Sequence, residues 1–281
     1  MARIAVLGGS GMLGRETVEL FRRQERDFQS FERDQIDASM DAKTIESRLS
    51  GFDVVVNCIA YTAVDKAESD FETAKLVNGD FVGELAKASS SIGARLFHYS
   101  TDYVFDGKAT RPYLPSHARR PLNVYGQTKA IGEELIESQA SSFTIMRTAW
   151  LYGEYGRCFP KTIKGLLESR PRISIVDDQN GQPTWTRDVA LLTGNLIDTN
   201  SQLSHVHATS AGSTTWFGFA EQIANSLGAG YSSKLSPVPS TEFPAPAKRP
   251  SYSVLANDYL PESQRIESWL DAWAKAAPFI I

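Results

Sequence analysis

A glycine spacing near the N-terminus constrains this chain more than any other feature. The run Arg3–Leu7 (RIAVL) reads as a short apolar strand and passes directly into Gly8-Gly9-Ser10-Gly11-Met12-Leu13-Gly14. Read as Gly8-x-x-Gly11-x-x-Gly14, the turn carries the three glycines that a strand-to-helix junction needs when it wraps a pyrophosphate. Gly8 permits a tight turn, Gly11 lets the backbone approach the phosphates, and Gly14 lets the following helix pack close on the strand. The free N–H groups and the dipole at the helix start would then face the anion. The expected fold class is therefore α/β, a Rossmann-type doubly wound parallel sheet.

The next elements keep that rhythm. A helix is expected over Gly14–Gln24, a weaker strand over Phe28–Phe31, a short helix over Thr44–Leu49 and a buried β-branched strand over Asp53–Asn57 (DVVVN). A long helix over Phe71–Ser91, a strand over Ala94–Tyr99, a helix over Tyr125–Ser138 and a strand over Phe143–Arg147 follow. Strands alternating with helices at this spacing imply a parallel sheet covered on both faces. After Trp150 the elements shorten: a helix near Phe159–Glu168, a strand at Ile173–Val176, a helix near Arg187–Ile197 and a C-terminal helix around Pro261–Ala276. Five prolines between Ser232 and Ser251 mark that segment as mostly loop. We expect residues 1–150 to form a nucleotide-binding domain, with later segments returning to it. Residues 151–281 should form a smaller, less regular C-terminal substrate lobe.

Composition narrows the function classes. A formal charge of −4 offers no basic face for nucleic acid. No apolar run approaches the ~20 residues of a membrane span, and glycines interrupt the N-terminal apolar run too early for a signal peptide. Two cysteines, Cys58 and Cys158, make no disulfide framework, and Cys58, in the apolar run DVVVNCIA, reads as a small core residue. These features lead us to expect a cytoplasmic protein, without nucleic-acid or membrane partners, that acts on a small molecule as a monomer or homodimer.

The chemistry concentrates at strand ends. Beyond the second strand the chain reads Phe31-Glu32-Arg33-Asp34. Glu32 suits a free ribose 2′-hydroxyl and Arg33 a 2′-phosphate, so NADPH is the expected cofactor with NADH as the alternative; Asp37 would lie by the adenine. The strand Ala94–Tyr99 ends in Ser100-Thr101-Asp102, which places Thr101 where open α/β sheets bind their ligands. The stretch NVYGQTK then sets Tyr125 and Lys129 one helical turn apart on one face. A hydroxyl, a phenol and an ammonium beside a dinucleotide suit carbonyl reduction. Free tyrosine has a pKa near 10, and a neighbouring ammonium would stabilise its phenolate and make it a better acid at neutral pH. Thr101 would donate to the carbonyl oxygen as charge develops, and Lys129 would hold the nicotinamide ribose hydroxyls.

These residues, with the stretches NCIAYTAVDKAE (57–68), HYSTDYVFDG (98–107), RTAWLYG (147–153), VDDQNGQPT (176–184) and PAPAKRPSYSVL (244–255), resemble the extended short-chain dehydrogenase/reductases over nearly the whole chain. Within them, the likeness is to the reductases of dTDP-linked 4-keto-6-deoxysugars. The resemblance implies that Gly11, Met12 and Leu13 cradle the cofactor pyrophosphate and that Asp37 and Ala38 lie by the adenine. It implies that Ala60, Tyr61, Thr62 and Tyr99 line the cofactor cleft. Tyr125 would be the proton donor and Lys129 its partner, Thr101 and Asp102 would contact the sugar, and Trp150 the nucleotide. The activity implied is NADPH-dependent reduction at C4 of dTDP-4-dehydrorhamnose. Reduction of a sister sugar, or a non-catalytic NADP-binding regulatory subunit, are the alternatives.

The chain departs from that pattern in one loop. Pro115 and His117 stand where the family carries carboxylates, and Arg111, Arg119 and Arg120 make the loop basic, able to meet a diphosphate. Glu16 matches a carboxylate that shares a metal in some relatives, but Arg187 stands where another would be needed, so no metal is expected. His98, His117, His205 and His207 form no ligand pattern. Phe97, Phe105, Trp185 and Trp216 read as packing residues.

Overall fold

The structure, a computed structural model, describes residues 2–281. The first half alternates strand and helix as expected. In order come β1 (Ile4–Leu7), α1 (Met12–Arg23), β2 (Phe28–Phe31), α2 (Ala42–Leu49), β3 (Val54–Asn57), the short α3 (Val64–Ala67), α4 (Phe71–Lys75), α5 (Phe81–Ser91), β4 (Arg95–Thr101), α6 (Val124–Gln139) and β5 (Phe143–Thr148). The second half supplies β6 (Leu151–Tyr152), α7 (Phe159–Ser169), β7 (Ile173–Val176), β8 (Asn180–Gly181), β9 (Thr184–Trp185), α8 (Thr186–Asp198), β10 (His205–His207), β11 (Thr214–Thr215), α9 (Trp216–Leu227), β12 (Leu235–Val238) and α10 (Trp269–Ile280).

Six strands form one sheet in the order β10-β5-β4-β3-β1-β2, every pair parallel. Side-chain alternation divides its two faces. Ile4, Val6, Val54, Val56, Phe97 and Met146 pack with Phe21 of α1 and Leu192 of α8. Ala5, Leu7, Val55, Leu96 and Ile145 face the other way, towards Ile45 of α2, Leu85 of α5 and Ile136 of α6. Such continuous apolar strands mark a sheet buried on both sides. Strand order reverses at β1, which lies between β2 and β3, and a crevice opens beyond the carboxyl ends of β1 and β3. A second cluster, built from Tyr152, Ile163, Phe219, Trp269 and Trp273, holds the C-terminal helices together.

The sequence reading is corrected in three places. The helix expected over Phe71–Ser91 is interrupted by a π-helical segment, Leu76–Asp80. The proline-rich stretch after Ser232 contains β12, which pairs in parallel with β7 through Pro237; an edge position tolerates a residue without an N–H. The C-terminal helix begins later than Pro261. Ser268 caps it, its hydroxyl accepting from the Asp271 N–H at 3.1 Å.

Candidate active site

Two adjoining cavities run along the crevice and share Gly11, Cys58, Ile59 and Ala60 as their common wall. The outer one, about 700 Å³, is lined by Gly8, Arg33, Asp37, Ala38 and Tyr61, among others. The inner one, about 550 Å³, is lined by Met12, Leu13, Thr62, Tyr99, Thr101, Asp102, Tyr125, Lys129 and Trp150. Apart from Glu32 and the arginines of the 111–120 loop, the cofactor, substrate and catalytic candidates singled out above therefore line these two adjoining cavities.

The glycine turn has the geometry such a cleft requires. Gly8 sits at φ +74°, and a Cβ on Gly14 would stand 2.1 Å from the Gly8 carbonyl oxygen. A side chain at residue 14 would push α1 off the turn. Glu32, a candidate for the ribose, is committed to this turn instead: its carboxylate accepts from the Ser10 N–H (3.2 Å) and the Ser30 hydroxyl (3.0 Å). Arg33 lines the outer cavity beside Asp37, whose carboxylate accepts from the Ser39 N–H and hydroxyl.

The π-helical segment has a local purpose. It aims the fully buried Asn78 at the loop after β3, where its amide donates to the Tyr61 carbonyl (3.0 Å) and accepts from the Tyr61 N–H (2.9 Å). The same amide donates to Thr128 of α6 at 3.1 Å. One side chain thus ties the Ala60–Thr62 wall to the helix carrying Tyr125 and Lys129, in keeping with the frequent siting of π-bulges at functional positions.

Asn123 caps α6, its side-chain oxygen accepting from the Gly126 N–H at 2.8 Å, which places Tyr125 and Lys129 in the first two turns. Tyr125 packs edge-on against Tyr103. Burial pushes its phenol up to about 12; the Thr101 hydroxyl pulls it down and the Asp102 charge raises it further. Lys129 Nζ donates to the Tyr99 carbonyl at 2.5 Å and lies 3.1 Å from His98 Nε2. Burial draws Lys129 down to about 8, against the pull of Glu133.

Asp102 is 3% exposed and accepts from the Thr101 hydroxyl at 3.0 Å, while its other oxygen has no partner. Burial raises its carboxyl from 3.8 to about 6, against the opposing pull of the nearby Ser253 and Thr101 hydroxyls. A carboxyl raised in the folded state binds more protons there than when unfolded, so between about pH 4 and 6 it makes stability fall as pH rises. Asp102→Asn is expected to remove that slope and to raise stability at pH 7.5 by on the order of 2–3 kcal/mol, with activity lost. Urea unfolding across pH 4–8 measures it.

Trp150 adopts φ +46°, a conformation uncommon for a bulky residue, and its indole stacks on Trp216 with centroids 3.6 Å apart. Gly181 makes room for it, since a Cβ there would meet the indole at 2.4 Å. Trp216, read from sequence as packing, lines the inner cavity with Trp150. Cys58 stands in the cleft wall, partly buried and packed against the core beneath it, and burial pushes its thiol up to about 12.

One arginine of the basic loop is turned inward, while Arg111 and Arg120 are exposed. Arg119 forks onto Glu137 (2.6 and 2.8 Å) and reaches Glu133 (3.0 Å), so it faces carboxylates of α6 and offers little to a diphosphate. Glu16 is paired with Arg187 at 2.9 Å.

A family model described as the RmlD substrate binding domain matches residues 2–278. The chain belongs to this family. Among its RmlD-family relatives, a dTDP-4-dehydrorhamnose reductase from Burkholderia thailandensis is 42% identical over 229 residues, 76% of this chain and 77% of that protein. A dTDP-4-keto-6-deoxy-D-glucose reductase from Streptomyces niveus is 37% identical over 99% of this chain and 97% of that one. The crystal structure of dTDP-4-dehydrorhamnose reductase from Bacillus anthracis in complex with NADP superposes with a TM-score of 0.89 at 31% identity, covering 98% of each chain.

Proposed function

We propose that this RmlD-family protein reduces the C4 keto group of dTDP-4-dehydrorhamnose to give dTDP-L-rhamnose, using NADPH. The observation that carries the reading is the convergence of the glycine turn, Thr101, Asp102, Tyr125, Lys129 and Trp150 on one cleft. The cleft fits a dinucleotide: the left-handed Gly8 and the side-chain-free Gly14 leave backbone N–H groups for a pyrophosphate. Arg33, Asp37 and Ala38 would hold the adenosine end, Ala60, Tyr61, Thr62 and Tyr99 the middle, and Lys129 the nicotinamide ribose. Arg33 facing the cavity, with Glu32 committed to Ser10, favours a 2′-phosphate.

When bound, the nicotinamide supplies the hydride. The protein supplies the proton and the setting: the Tyr125 hydroxyl gives its proton to the sugar oxygen, and the Thr101 hydroxyl, turning from Asp102, donates to that oxygen as it gains charge. The unpartnered oxygen of Asp102 is placed to accept from a sugar hydroxyl. The stacked Trp150–Trp216 pair supplies an aromatic wall for the base.

Purified protein mixed with NADPH and enzymatically prepared dTDP-4-dehydrorhamnose should lose absorbance at 340 nm and yield dTDP-L-rhamnose by NMR. No turnover, or a product with the opposite C4 configuration, overturns the reading. The second outcome would instead indicate hydride delivery to the opposite face of C4, whereas turnover of dTDP-4-keto-6-deoxy-D-glucose in its place would support reduction of a sister sugar, which the likeness to the Streptomyces niveus reductase and the altered loop at 111–120 favour as the alternative.

A further inference from the structure

His98 has no place in the chemistry above, yet it is 1% exposed and touches Lys129. Its surroundings determine where its proton sits. The Ile59 N–H donates to Asn57 Oδ1 at 3.0 Å, which fixes the orientation of that amide. Asn57 Nδ2, necessarily a donor, lies 3.0 Å from His98 Nδ1. Nδ1 must therefore accept, and the neutral ring carries its proton on Nε2, pointing at Lys129 Nζ. If Lys129 is an ammonium, a donor meets a donor. If it is an amine, each contact pairs one donor with one acceptor: Asn57 N–H to Nδ1, Nε2–H to Nζ, and Nζ–H to the Tyr99 carbonyl.

We infer that His98, oriented by Asn57, is a positioning residue for Lys129, and that its Nε2–H favours the uncharged lysine in the cofactor-free enzyme. This rests on the reductase reading only for its catalytic consequence, because the hydrogen-bond pattern stands without it. Burial keeps His98 itself neutral, its pKa falling well below 6.5, and the Lys129 charge adds to that fall. The other charged or titratable groups about the pair are few. Glu133, on Lys129's own helix, favours its charge but is engaged by Arg147 of β5 and by Arg119. Tyr125 of α6, Asp102 beyond β4 and Cys58 beyond β3 line the same cavity. From the π-helical segment packed on α6 comes only the neutral Asn78, through Thr128.

The test is the tautomer of His98, read by long-range nitrogen–proton correlation NMR on cofactor-free protein. Four histidines are present, and the His98→Gln spectrum assigns the one concerned. At pH 9 the Nε2–H tautomer is expected. Its nitrogen shifts should step near pH 8, the value towards which burial draws Lys129, and the step should vanish in Lys129→Met. An Nδ1–H tautomer at pH 9, or a step that appears only above pH 9, overturns the proposal. In His98→Gln a side-chain carbonyl can accept from the ammonium, and the limb of the kcat profile that follows Lys129 should move up by about one pH unit; an unmoved limb in folded variant also overturns it. If His98→Gln does not fold, the wild-type and Lys129→Met spectra still decide. An enzyme inactive on the dTDP-sugar but showing the Nε2–H tautomer and the step would count against the function proposed above and leave this inference standing.

Discussion

Tyr125→Phe is expected to lower kcat by about 10²–10⁴-fold, the range attributed to a positioned acid–base group, while leaving the fold and cofactor affinity near wild type. Phenylalanine keeps the ring that packs edge-on against Tyr103 at 6.0 Å. The lost hydroxyl strands no partner, because Thr101 Oγ1 still donates to Asp102 and accepts from the Tyr103 N–H. Stability should therefore change by less than about 1 kcal/mol. The wild-type phenol, pushed up to about 12, is fully protonated at neutral pH. It enters the reaction as an acid, and its rate should not fall between pH 6 and 7.5 through loss of that proton. Steady-state assays at 340 nm, a thermal melt and a cofactor titration check each part. A variant within tenfold of wild type would place the proton source elsewhere, with Asp102, which lines the same cavity and is raised to about 6, as the candidate.

What could be read from the sequence was local. The glycine turn, the β-branched strand before Asn57 and the Tyr125/Lys129 spacing each lie within a single element or junction, so a period or an offset reveals them. The parts that escaped depend on register between distant elements. His98 looked isolated because its partners, Asn57 and Lys129, come from β3 and α6. Trp216 looked like packing because the residue it stacks on, Trp150, is distant in sequence. Arg119 looked available to a phosphate because only tertiary structure brings it onto Glu133 and Glu137. β12 was hidden by Pro237 and the prolines that follow it; an edge position makes the missing N–H of Pro237 harmless. The π-helical segment leaves no mark in a hydrophobic period.

The Glu133–Arg147 pair yields the largest expected effect on stability. Glu133 is 0% exposed and Arg147 is 2% exposed. Arg147 holds the carboxylate through Nε at 3.0 Å and a second nitrogen at 2.7 Å, and Arg119 adds a third contact at 3.0 Å. Burial works against the Glu133 charge, but Arg147 and Arg119 hold its pKa below the ordinary carboxylate range. Glu133→Ala leaves a guanidinium buried with the Pro115 carbonyl as its remaining partner. Breaking a buried pair in this way costs about 3–5 kcal/mol, which at about 2–4 °C per kcal/mol lowers the melting temperature by roughly 10 °C. Since the folded carboxyl is lowered, its contribution is complete above the unfolded pKa of about 4.3 and is lost as pH falls through the folded value. The gap between wild type and variant should therefore narrow only below about pH 4. The catalytic site would feel the change as well. Glu133 lies one turn beyond Lys129 and supports its charge, so in Glu133→Gln the Lys129 limb should move below pH 8, opposite in direction to His98→Gln. Denaturant unfolding from pH 3 to 8 together with kcat profiles of the two variants tests both halves. A loss below about 1 kcal/mol at pH 7, or a limb that moves upward, would show that Glu133 neither anchors Arg147 nor supports the lysine.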